Sequence, residues 1–238
     1  MKRNLKALGL ALVAVLAISA VVASAASAAT HDFKSNAQET ILQAEAIGDQ
    51  TFISTADDEL RLLCKKISIS STIVGKTVSE VTVEPHYGEC GIYNASAEKL
   101  AVAKVTTKGC HYLLTGGTVK TEPEITEGEY ALAHLSCPEG VTGMTVDATV
   151  LNTECLHIPE QTLKGVQYKN TEEGGIKKID VTFKAHGIKS ETTHHPVVCE
   201  TPSKGTQTHE GGILKGEVKV SGTSEPEVLT SLWTEETP

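Results

Sequence analysis

Apolar residues recur at every second position in segment after segment of this chain. Val81 and Val83 alternate with Glu80, Thr82 and Glu84, while Ile179, Val181, Phe183 and Ala185 alternate with Asp180, Thr182, Lys184 and His186. Successive strand side chains point to opposite faces, so this spacing implies half-buried strands with one wet face. Weaker alternation runs through residues 67–70, 130–137, 144–150 and 217–220. Glycine-containing breaks at Gly75, Gly116-Gly117, Gly128, Gly140 to Gly143, Gly174-Gly175 and Gly211-Gly212 separate the runs. All 29 threonines lie at or beyond position 30, and β-branched residues favour strands. The pattern predicts an all-β fold, an antiparallel β-sandwich. Residues 36–47 also present Ile41, Leu42 and Ala46 on a helical face. Gly48-Asp49 followed by residues 51–55 favours a strand, a turn and a returning strand.

Residues 1–29 read as a secretory signal peptide. Lys2, Arg3 and Lys6 precede an uncharged apolar run from Ala7 to Ala23, and Ala26-Ser27-Ala28 is the small-x-small pattern that signal peptidase cuts. Cleavage after Ala28 or Ala29 is expected, with a secreted, extracellular product and no membrane contact afterwards. The whole chain has 21 Lys+Arg against 30 Asp+Glu, a formal charge of -9. Removing the leader leaves 18 basic residues against the same 30 acidic ones, a charge of -12. With only 4% aromatic residues, the chain lacks both usual supports of nucleic-acid binding and is expected to be indifferent to polyanions.

Six cysteines follow the leader: Cys64, Cys90, Cys110, Cys137, Cys155 and Cys199. An even number in an exported chain implies disulfides, and no Cys-x-x-Cys pair suggests zinc. Fifteen pairings are open. Strand geometry favours sequential ones, since the midpoint of Cys64 and Cys90 falls beside the turn at Gly75-Lys76, and that of Cys110 and Cys137 at Pro123. Cys155 with Cys199 is the third pair, its midpoint near Gly174-Gly175. Each bond is worth roughly 3 to 4 kcal/mol in the loop-entropy account.

The expected organisation is residues 30–60 as N-terminal strands or an arm, residues 61–220 as the sandwich, and residues 221–238 as a tail that frays except where Leu229, Leu232 and Trp233 dock. Ile158-Pro159-Glu160 offers a subdivision near 160, which leaves one continuous sandwich or two small β units. The leader, followed by a threonine-rich six-cysteine region with GECGIYNAS, KGCHYLLTGG and SCPEG, resembles uncharacterised exported β-rich proteins of actinobacteria. That resemblance implies a secreted bacterial β protein and carries no functional residues.

No catalytic motif is present. Glu80 and Glu84 share a strand face, but four residues of strand separate them by about 13 Å, too far for a glycosidase pair. Glu122, Glu124, Glu127 and Glu129 read as a solvated acidic turn. His186, His194, His195 and His209 are the weak metal candidates, without a recognised ligand spacing. There is no Gly-x-Ser-x-Gly elbow and no phosphate-binding glycine loop. Asn94-Ala95-Ser96 matches a glycosylation acceptor that a bacterial context makes incidental. Trp233, Tyr87, Tyr93, Tyr112, Tyr130 and Tyr168 are the aromatics available to stack on sugars. The expectation is a non-enzymatic binding or structural protein without a cofactor, its partner an extracellular glycan or envelope protein. The alternative is a secreted glycan hydrolase whose site assembles only in three dimensions.

Overall fold

A computed structural model of the chain describes residues 30–53, 61–115, 130–148, 154–194, 206–224 and 228–237. These form β1 (Thr30–Ser35), β2 (Glu39–Ala46), β3 (Gln50–Ile53), β4 (Arg61–Val74), β5 (Thr77–Val78), β6 (Glu80–Tyr93), β7 (Lys99–Thr106) and β8 (His111–Thr115). There follow β9 (Tyr130–Ser136), β10 (Gly143–Ala148), β11 (Glu154–Pro159), β12 (Gln161–Glu173), β13 (Ile176–His194), β14 (Gln207–Ser224), β15 (Val228–Thr230) and β16 (Leu232–Thr237). The all-β, antiparallel fold is the one the alternation predicts, and it is disulfide-stapled as the cysteines imply.

Its packed layers belong to a single sheet that returns to itself. β2 and β3 occupy one lane between β4 and β14, with Glu45 opposite Ser68 and Gln50 opposite Cys64. β7 and β8 share a lane against β6, β9 and β10 share the next, and β11 and β12 share the lane against β13. The lanes therefore run β2–β3, β4, β6, β7–β8, β9–β10, β11–β12, β13 and β14 in chain order. The β14–β2 pairing closes the ring. Eight lanes make a barrel just wide enough for side chains to fill. Its interior is apolar, with Leu135, Val146, Val166, Ile179 and Ala185 almost completely buried. Lys, Glu and Asp stand on the outward face of successive lanes, which is not the apolar outer band of a membrane barrel.

One expectation changes here. Gly48-Asp49 does not reverse the chain: β3 continues in the direction of β2 along the same partners. One residue more on this lane than on β4 displaces the ladder without turning it. Residues 30–53 form strands, of which β2 and β3 supply a barrel lane. Glu160, at the predicted subdivision, lies between β11 and β12, both of which pair with β13.

A belt of irregularity circles the barrel at mid-height. It includes residues 47–49, Lys65-Lys66, Glu89 with φ 53°, residues 107–110, residues 137–142, Glu160 and Gly187 with φ 72°. Side chains bridge the gaps where ladder bonds are lost. Cys110–Cys137 joins two adjacent gaps, and Cys64–Cys90 clasps opposed residues of β4 and β6 beside the Lys66–Glu89 ion pair. Cys155 is also disulfide-bonded, while Cys199, its predicted partner, lies outside the described residues. The Cys137 N–H donates to Glu160 Oε1 at 2.6 Å. The Gln161 amide donates to the Lys189 carbonyl at 3.0 Å and accepts from the Lys189 N–H at 2.8 Å.

A second, three-stranded sheet of β16, β1 and β5 covers one end. Phe33 and Leu232 are its buried anchors, and the Phe33 ring meets Tyr168 of β12 edge-on at 5.2 Å. Of residues 221–238, the described ones include β15 and β16, with Leu232 buried and Leu229 exposed. Asn170 takes the place of a neighbouring strand for β16: its amide donates to the Thr234 carbonyl and accepts from the Thr234 N–H, both at 2.8 Å.

Candidate functional site

Among the described residues the barrel interior is closely packed. Two interior cavities among these residues measure about 40 and 30 Å³, far smaller than the roughly 150 Å³ that admits a benzene-sized guest. Between them sit Gln50, Tyr87, Tyr112 and Leu214, which line both. The Tyr87 and Tyr112 hydroxyls lie 3.3 Å apart. Burial raises the pKa of both, most strongly for Tyr87, where the neighbouring Tyr112 adds to the effect. Tyr168, beneath the terminal sheet, has a buried hydroxyl without a hydrogen-bond partner, and desolvation pushes its pKa far up.

The sequence candidates disperse on this scaffold. Glu80 and Glu84 are exposed on the outside of β6. Glu122, Glu124, Glu127 and Glu129 lie outside the described residues, as does His195. His186 is exposed opposite Ile213, whereas His209 stands opposite Ser190 with Nε2 2.8 Å from Thr192 Oγ1. Four residues of β14 separate Ile213 from His209, about 13 Å of strand, so these two imidazoles do not converge. The backbone of His194 pairs with Glu154. Among the described residues no group of three or more His, Cys, Asp or Glu could hold a metal ion, and no helix is long and apolar enough to cross a membrane. Asn94 is engaged in the β6–β7 turn, where its amide donates to Glu98 Oε2 at 3.0 Å and accepts from the Glu98 N–H at 2.9 Å.

Of the aromatic candidates, the side chain of Tyr130 lies outside the described residues. Tyr87, Tyr112 and Tyr168 are committed to the interior, while Tyr93 packs over Gly91 on the outer face. Trp233 is half-buried on β16, whose neighbouring Leu232 and Thr234 point inward and are buried. It stands opposite Lys34, and the Lys177 ammonium lies 4.8 Å from its ring centroid. The Lys177 N–H is fixed by Ser231 Oγ at 3.2 Å. Lys34 pairs with Glu235, and that contact, with a smaller contribution from Lys177, holds the Glu235 carboxyl below its ordinary pKa. Asp32 faces Glu235 across the ladder. The indole with the Lys177 ammonium over its ring, on the sheet face that also carries the Lys34–Glu235 pair and Asp32, is therefore the candidate site. Sequence reading included Trp233 among six aromatics but had no signal that would select it, because Lys177 reaches it across a large separation along the chain. No protein-family model, no curated protein and no solved structure matches this chain.

Proposed function

We propose that this is an exported bacterial protein that acts outside the cytoplasm as a non-enzymatic binding module, with a rigid barrel presenting its outer surface to an extracellular glycan or envelope component. The observation that carries this reading is the placement of the disulfides. Cys64–Cys90 and Cys110–Cys137 brace the belt where backbone pairing fails, so the fold depends on bonds that persist in oxidising compartments. The filled interior supports recognition from the outside. The leader-like residues 1–29 supply the export route.

The test is expression of the full chain in a secreting bacterial host, followed by N-terminal sequencing, thiol titration and a glycan array with the exported product. The expected product begins at Ala29 or Thr30, has no titratable thiol and is retained by a defined set of glycans. A cytoplasmic product with six titratable thiols would overturn export, and an array without retention would overturn glycan binding. Cleavage of arrayed glycans would transfer the reading to the secreted hydrolase.

A further inference from the structure

We infer that the barrel holds an internal water molecule, seated between the Tyr87 and Tyr112 hydroxyls and the side-chain oxygen of Gln50. The site goes beyond the binding reading above and does not depend on it. Gln50, Tyr87 and Tyr112 are the polar side chains common to the linings of both interior cavities, and they do not satisfy one another. Two phenols bring two O–H donors, and the single contact between them, 3.3 Å from oxygen to oxygen, uses one. Burial raises the pKa of both, so both keep their protons, and the second O–H needs an acceptor. A buried donor left unpaired forfeits its full desolvation cost. Gln50 Nε2 already donates to the Gly48 and Glu217 carbonyls, which leaves Oε1 as the accepting corner of that amide.

Volume and chemistry together select the occupant. Cavities of about 40 and 30 Å³ exceed the roughly 10 to 15 Å³ that one water needs, yet exclude an organic guest. The other lining side chains are apolar, so an occupant that makes hydrogen bonds must sit at the tyrosine and glutamine end. There a water accepts from the second phenol and donates to Gln50 Oε1 and to the other phenol oxygen, about the three bonds an internal water makes. The position along the chain is also informative. Gln50 follows the break at 47–49, Tyr87 precedes Glu89, and Tyr112 follows Cys110, each beside the belt where ladder pairing is interrupted. These residues belong to three lanes, β2–β3, β6 and β7–β8. The water therefore joins, from the inside, lanes whose backbone pairing fails at that level.

The experiment is a high-resolution crystal structure of the oxidised protein, with and without xenon, beside the double variant Tyr87→Phe/Tyr112→Phe, which keeps both rings and removes both hydroxyls. In the native protein the expected result is a single ordered oxygen peak within about 2.5 to 3.2 Å of Gln50 Oε1 and of both tyrosine hydroxyls, unchanged under xenon. In the double variant that peak should vanish, and xenon should enter the space, because a cavity without polar partners stays dry and accepts an apolar guest. Clean native density without the peak, or xenon in its place, overturns the inference. A peak that persists in the double variant also overturns it, since the phenols would then not hold the water. If the double variant does not fold, the native crystals decide by the presence or absence of the peak.

Discussion

Gln50 shows how one residue can hold a barrel together where its ladder breaks. Its buried amide donates to the carbonyls of Gly48 at 3.2 Å and Glu217 at 3.0 Å, joining the β2–β3 lane to β14. The side chain occupies the space a Cβ would need at residue 216, with Oε1 only 1.7 Å from that position. Gly216→Ala should therefore expel the amide and destabilise the protein by about 2 to 3 kcal/mol, read as a lower urea midpoint. Adding Gln50→Ala should recover part of that loss if the clash is its cause. His157 provides a second residue-scale expectation. It is buried on β11, where desolvation lowers its pKa against the opposing pull of Glu191. The unfolded state then binds the proton more readily, so this contribution to stability is intact above pH about 6.5 and falls as pH drops toward the depressed native value. Thermal melts between pH 7.5 and 5 should show that decline, and His157→Gln should flatten it. Neither contact is visible in the sequence, because Gln50 meets a residue 166 positions away.

At the scale of strands and hairpins, more was legible. Midpoint arithmetic placed Cys64 with Cys90 and Cys110 with Cys137 because antiparallel neighbours joined by a hairpin are symmetric about their turn. Removing Cys110–Cys137, which closes a separation of 27 residues, with paired serines should cost about 3 kcal/mol and lower the denaturation midpoint accordingly. The β2–β3 lane was misread because a glycine-aspartate pair serves equally in a tight turn and in a one-residue offset within a lane. Local chemistry does not distinguish them; the partners on either side do. Asn170 is a similar case. Its role as a substitute strand for β16 depends on a tail brought back over the barrel end.

Considered whole, the molecule combines a closed barrel with a terminal sheet joined to it mainly by side chains: Asn170 to Thr234, Phe33 to Tyr168, Lys177 to Trp233. Such an attachment lacks a continuous ladder and leaves one buried hydroxyl, that of Tyr168, unpaired. The terminal sheet should consequently open before the barrel. In urea, Trp233 fluorescence should change at a lower concentration than far-UV circular dichroism, and Asn170→Ala should widen the interval. Coincident transitions would show the two sheets to be one cooperative unit.

The sequence by itself determined that the chain forms antiparallel strands and which residues face inward where the alternation is clear, and it favoured the two hairpin cysteine pairs that meet. Those properties depend on a period of two and on symmetry about a turn, both local. Only the tertiary structure decided that the sheet closes and that its lanes break at one level. It also decided that β1 and β16 meet over the barrel and that Lys177 reaches Trp233. These depend on cumulative twist and on contacts between residues remote in the chain, which no local pattern encodes.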